Sequence, residues 1–185
     1  MMSLRNLICL IVFLAITSSA AIATPVNFGG TWVEVEYWGG SGSNEAIIVI
    51  DFGVDSYAFG YKWDTGPDPK YGKDMMDAVV AAGSMSYTQS GGFLNTISYD
   101  SYSNIGENGW PTDWWAYFIS TDGVSWADPG EGFATRELTN GAWDAWAHQP
   151  TGDWPPAHVP TTPIPEPATV ALLGLGGLLL RRRRA

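Results

Sequence analysis

Cysteine, histidine and positive charge are what this chain has least of. There is one cysteine, Cys9, and there are two histidines, His148 and His158, in 185 residues. Cys9 lies in an apolar stretch at the N-terminus, so the chain beyond it can form no disulfide and carry out no thiolate chemistry. Two histidines without further cysteine leave too little to build a His/Cys metal site. His148 could serve a serine triad only with a nucleophile, and no Gly-x-Ser-x-Gly elbow accompanies it; a surface histidine is the simpler reading. Between Thr24 and Ile164 the basic residues are Lys62, Lys70, Lys73 and Arg136, against every one of the 19 acids except Glu166. Such a surface repels phosphate backbones, which excludes nucleic acid as a partner. Neutral sugars, cations and cationic ligands remain compatible with it.

The two ends carry addresses. Arg5, the apolar run Leu7 to Ile16 and the small residues Ala21 and Ala23 form a secretory leader over 1–23, to be cut by signal peptidase before Thr24. At the other end stand Pro165, Glu166 and Pro167, then an uncharged run from Ala168 to Leu180, then Arg181, Arg182, Arg183 and Arg184. Prolines hold their neighbourhood extended, the apolar run belongs in hydrocarbon, and adjacent arginines resist translocation. The run contains Gly174, Gly176 and Gly177. As a helix it reaches only roughly 20 Å, short of a hydrocarbon core of roughly 30 Å, which suits a transient span better than a permanent anchor.

This tail resembles the PEP-CTERM sorting signal, found at the C-termini of exported proteins in Gram-negative bacteria that carry an exosortase. The resemblance implies that the tail holds the protein in the inner membrane only as an intermediate. An exosortase then processes it near the triplet, and the protein passes to the cell envelope, the outer surface or the exterior.

Between the addresses the pattern is mostly β. Thr31 to Trp38 alternates, with Val33, Val35 and Tyr37 on one face and Glu34, Glu36 and Trp38 on the other. After a Gly/Ser turn, Glu45 to Phe52 is nearly continuous in apolar residues and reads as a central strand; Ser56 to Trp63 follows. Met75, Met76, Val79 and Val80 recur at helical spacing over 72–82, with Asp74 in the first turn and Gly83 as a stop. Further strands are predicted over Ser84 to Thr88, Phe93 to Tyr99, Trp114 to Ser120, Val124 to Ala127, Phe133 to Leu138 and Trp143 to Ala147, with an Asp122-Gly123 hairpin turn. Prolines from Pro150 to Pro163 predict an extended linker without a packed core.

The segments are thus a leader over 1–23, a β-rich exported domain over 24–148, a Pro-rich linker over 149–164 and a sorting tail over 165–185. The fold class is α+β, mostly β: an antiparallel meander with one short amphipathic helix, flanked by a signal helix and an apolar C-terminal helix. The helix 72–79 and the aromatic strand Trp114 to Phe118 before Asp122-Gly123 resemble the β-grasp module at the C-terminus of transcobalamin-like proteins. That resemblance implies a bulky ligand such as a corrinoid.

No constellation of residues demands catalysis or a cofactor. Glu34, Glu36 and Asp51 could form a carboxylate pair, and a small secreted hydrolase is the alternative reading. Asp64, Asp68, Asp74 and Asp77 cluster before and within the helix, but without the spacing of a calcium loop. The remaining signal is aromatic: ten tryptophans. Most should fill the core, yet the neighbours Trp114 and Trp115 must point to opposite faces, Trp110 sits in a loop and Trp38 shares a face with two glutamates. Trp38, Trp110 and Trp114 are therefore the candidate platform for a polysaccharide or other small-molecule ligand.

Overall fold

The run Ala46 to Ile50 has no polar side chain to turn outward, so a strand made from it needs cover on both faces. The computed structural model describes residues 24–152 and 154–164; the leader expected over 1–23, with Ala21 and Ala23, and the apolar helix and arginine cluster expected over 165–185 lie outside the described residues. Among those described, Asn44–Asp51 (β3) lies inside a six-stranded sheet, between Ser56–Trp63 (β4) and Ala142–Gln149 (β9). Thr31–Gly40 (β2) and Thr24–Phe28 (β1) extend the sheet beyond β4, and Trp114–Ser120 (β8) forms the far edge beside β9. A second sheet of three strands, Ser86–Ser90 (β5), Phe93–Tyr99 (β6) and Tyr102–Ile105 (β7), and one helix, Gly72–Ala82 (α1), complete the described elements. The mostly β, α+β expectation agrees with this; a β-grasp arrangement is not confirmed.

One face of the large sheet carries Ile48, Ile50, Phe59 and Trp146 and is covered by α1 and the small sheet side by side. Tyr102 of β7 stacks on Phe52 with ring centroids 4.2 Å apart, and Tyr99 of β6 meets Phe59 edge-on at 4.9 Å. The opposite face carries Ile47, Val49, Ala58 and Trp143. Its cover comes from the sheet itself, which curls until Phe28 of edge strand β1 reaches Trp143 of β9 at 5.2 Å.

The expected antiparallel meander is corrected by the pairing. β2 and β4 are parallel, as are β3 and β9, and β4 lies between the sequence neighbours β2 and β3. The connection from β2 to β3 must therefore cross the end of β4. Gly42 makes this possible: a Cβ there would lie 2.0 Å from the Trp63 carbonyl carbon, and its φ is +146°. The Gly/Ser stretch is a bare crossover rather than a hairpin turn. Neither β1 nor β7 is anticipated by the alternation pattern. Val124 to Ala127 and Phe133 to Leu138 form turns with isolated bridges, Ile119 to Ala127 and Tyr71 to Glu137, rather than strands.

Two local readings also change. β2 carries a bulge between Val35 and Trp38, where three steps on β2 match two on β4. One extra residue swaps the faces, so Tyr37 joins the helix side while Trp38 joins Val33 and Val35. Trp38 does not share the face of Glu34 and Glu36. Gly83 is extended at φ −150° rather than left-handed; it is glycine because a Cβ would meet the Tyr37 ring at 2.1 Å.

The Pro-rich segment is extended, but it is packed against the domain. Asp51 accepts the Thr161 N–H at 2.7 Å, Pro163 accepts the Glu34 N–H at 3.1 Å, and Pro160 and Thr162 are buried. It lies as a strap where β2 runs past the start of β4.

Gly83→Ala is expected to cost about 1–3 kcal/mol by overpacking against Tyr37. Gly66, with open space around it, should tolerate alanine within about 0.5 kcal/mol. Urea unfolding of both variants against the unsubstituted domain measures the difference.

Candidate functional site

β8 is an edge strand, and edges expose unpaired backbone groups. Ile119 exchanges both backbone hydrogen bonds with Ala127 on the side away from β9. By the alternation of an antiparallel strand, Tyr117 and Trp115 turn their N–H and C=O groups the same way. On that side lies an open cleft of about 710 Å³. Its floor is the edge of β8, one wall is the Gly91–Leu94 tip between β5 and β6, and the other is the 128–135 loop. Trp110, Trp114 and Trp154 stand at its mouth.

The side chains follow from the strand's two faces. Trp115 is buried on the helix side, while Trp114 is half-buried at the margin of the other face. Trp114 Nε1 donates to the Gly152 carbonyl at 3.3 Å, and its ring lies 6.4 Å from that of Trp154. Trp110 and Trp154 are 62% and 58% exposed. Deeper in, Tyr117 stacks on Trp146 at 4.7 Å, and Phe133 closes edge-on against Trp146 at 5.3 Å. Asp128 and Glu131 put carboxylates on the 128–135 wall.

The loop carrying Trp110 is pinned by Asp113. Its carboxylate accepts the Gly106 N–H at 3.1 Å and the Asn108 amide at 3.0 Å, and it lies 2.6 Å from His148 Nε2. Partial burial works against the charge, but the hydrogen bonds from His148 and Asn108 outweigh it and hold Asp113 below the usual carboxylate range. His148, expected as a free surface side chain, is thus a partner of this loop, tilted over Trp115 at 5.4 Å.

Behind the cleft wall lies a buried polar cluster. The Tyr117 hydroxyl donates to Asp144 Oδ2, and Arg136 Nη2 stands 3.8 Å from Oδ1, beyond hydrogen-bond reach. Burial pushes Asp144 up to about 6, despite the hydrogen bond from Tyr117 and the Arg136 charge. Burial also raises Tyr117, with Asp144 adding to it. Gly72 leaves room for the cluster: a Cβ there would sit 2.9 Å from the Tyr117 hydroxyl.

Of the three predicted platform residues, Trp110 and Trp114 come together in this cleft. Trp38 does not; it lies over Gly60 with Lys62 Nζ 4.4 Å from its ring centroid, on another part of the sheet. Trp154 and Phe93 were missing from the predicted set. Gly91 and Gly92, both at positive φ, put Phe93 at a turn tip, and that pair of glycines was the available signal. Glu34, Glu36 and Asp51 line a second cleft of about 590 Å³ beside the strap. Asp64, Asp74 and Asp77 each accept a hydrogen bond from the protein: the Ser43 N–H, the Tyr71 N–H and the Tyr87 hydroxyl respectively. Among the described residues no group of three His, Cys, Asp or Glu is placed to hold a metal ion.

The strap leads straight into the tail, where comparison with known families finds the PEP-CTERM protein-sorting motif at residues 163–184. The chain carries an exosortase sorting signal. The motif marks an exported protein that passes through a membrane-associated sorting step to the cell surface, with exosortase as its processing partner. Pro165, Glu166, Pro167 and Arg181 to Arg184 all fall within the match. No curated protein and no solved structure matches the chain, so the resemblance to transcobalamin-like modules is not supported.

Because the folded pKa of Asp144 lies above its unfolded value, the native state binds the extra proton between about pH 4 and pH 6. Stability from this group therefore falls as pH rises through that window. Relative to Asp144→Asn, the unsubstituted domain should lose on the order of 2–3 kcal/mol between pH 4 and pH 7, read as diverging urea midpoints.

Proposed function

We propose that the exported domain is a non-enzymatic binding module that holds a neutral polysaccharide in the aromatic cleft and serves at the cell surface or in the surrounding matrix. The observation that carries this reading is the grouping of exposed Trp110 and Trp154 with Trp114 around an open strand edge. Indole faces stack on the apolar faces of sugar rings. The outward N–H and C=O groups of Trp115 and Tyr117, with the carboxylates of Asp128 and Glu131, supply hydrogen-bond partners for ring hydroxyls. The acidic domain disfavours polyanionic chains. A corrinoid or another bulky planar ligand is the competitor for the same cleft.

A hydrolase would need two free carboxylates facing one cleft, about 5 to 10 Å apart. Asp51, the most buried acid of the second cleft, is already occupied: Oδ1 accepts the Gly53 N–H at 2.7 Å and Oδ2 accepts the Thr161 N–H. That favours a structural use for it. Delivery through the sorting tail is consistent with a binding role at the cell surface.

Titration with neutral polysaccharides should quench or shift tryptophan emission saturably. Trp110→Ala, Trp114→Ala and Trp154→Ala should each weaken binding about fivefold or more, the loss of roughly 1 kcal/mol expected of a central contact. Trp32→Ala, exposed but outside the cleft, should leave affinity unchanged. Saturable binding of a corrinoid with no response to any polysaccharide would transfer the cleft to the competitor; silence from both would remove the binding role.

A further inference from the structure

The segment just before the sorting triplet is held by buried polar side chains. The Gln149 amide, 1% exposed, grips the main chain of His158 from both sides, donating to its carbonyl at 2.7 Å and accepting its N–H at 3.0 Å. Asp51 accepts the Thr161 N–H and stands 3.0 Å from His158 Nε2. Ser56 donates to the Thr161 carbonyl and the Thr162 hydroxyl donates to the Gly123 carbonyl. Pro163 makes the last of these bonds, to Glu34. Buried polar groups cost stability when left unmatched, so this pairing ties residues 158–163 to the domain.

The apolar run begins at Ala168, five residues beyond Pro163. Five residues reach at most roughly 17 Å. A headgroup layer takes roughly 6 Å of that, leaving about 11 Å, the width of a single helix with its side chains. While the run lies in hydrocarbon, any protein that reaches the triplet therefore touches the domain. It also finds the Thr161 N–H and carbonyl and the Pro163 carbonyl already bonded to the domain, which leaves them unavailable to an extended-strand grip.

We infer that the face beside the strap, formed by Val54, Asp55, Glu34, Glu36 and Ile164, is a docking surface for the membrane-embedded peptidase that processes the tail. Val54 is 88% exposed and Ile164 64%, an apolar spot bordered by carboxylates on the second cleft. The apolar spot offers a dry contact, and the carboxylates around it offer directional polar contacts to a protein partner. The short tether keeps this face at high effective concentration beside the enzyme. This docking depends on the sorting tail and is independent of what occupies the aromatic cleft.

The test uses the full chain in cells that contain the exosortase, with a photo-cross-linking side chain at Val54 or, as control, at exposed Ala81 on α1. An adduct with the exosortase is expected from Val54 and not from Ala81. A flexible spacer of about 20 residues between Ile164 and Pro165 should reduce the Val54 adduct at least about fivefold by diluting the tethered face. Tail removal is read separately by intact mass. Tail removal with no Val54 adduct, adducts with phospholipid alone, equal yields from both positions, or a yield indifferent to the spacer overturns the docking surface while leaving sorting intact. Retention of Arg181 to Arg184 in the unsubstituted protein overturns both.

Discussion

The structure depends on keeping both faces of β3 dry. Ala46 to Ile50 offers five consecutive buried apolar side chains, and no disulfide among the described residues relieves the folding entropy. One face can be covered by ordinary means, with α1 and the small sheet side by side. Among the described residues no helix packs against the other. It is closed by the curl of the sheet from β1 to β9, by half-buried Trp38, Trp114 and Trp126, and by a strap from the C-terminal side. Tryptophan is suited to such a closure because each ring covers a large area while fixing few torsions.

That division of labour explains where the ten tryptophans go. Trp63, Trp115, Trp143 and Trp146 are buried, three more are half-buried at the margins, and Trp32, Trp110 and Trp154 remain exposed. The exposed pair in the cleft is not surplus core. Trp110 is set by a loop that Asp113 and His148 pin, and Trp154 by the turn that starts the strap. The mouth of the cleft is therefore built from the two segments that meet at one end of the β8–β9 pair, before Trp114 and after Gln149, and its floor is a strand edge that no further strand among the described residues covers.

Short-range features were legible in the sequence. The helix over 72–82 and the strands β4, β6 and β8 follow from local periodicity with the bounds expected; β3 is central as expected, with each end one residue earlier than the pattern gives. Strand order was not legible, because it depends on Gly42 passing over Trp63, a contact between residues that the pattern treats independently. The bulge in β2 defeats alternation directly: one additional residue moved Trp38 off the glutamate face, while strand order, with β2 four strands from β8, keeps it away from Trp110 and Trp114. Proline content correctly indicated an extended segment after Gln149, but said nothing of the buried Asp51 and Gln149 side chains that receive it. The tail was the most legible part because its meaning lies in composition and order rather than in packing.

The strap also joins the closure of the domain to its address. Its bonds run from Gln149, Asp51, Ser56, Gly123 and Glu34 to residues 158–163, so one face of the central sheet is closed by residues that stand just ahead of the sorting triplet. Without residues 158–163 that side would lose both its cover and its hydrogen-bond partners. The residues that cover this side therefore run directly into the sorting signal, so the closure of the domain and its address share one continuous segment.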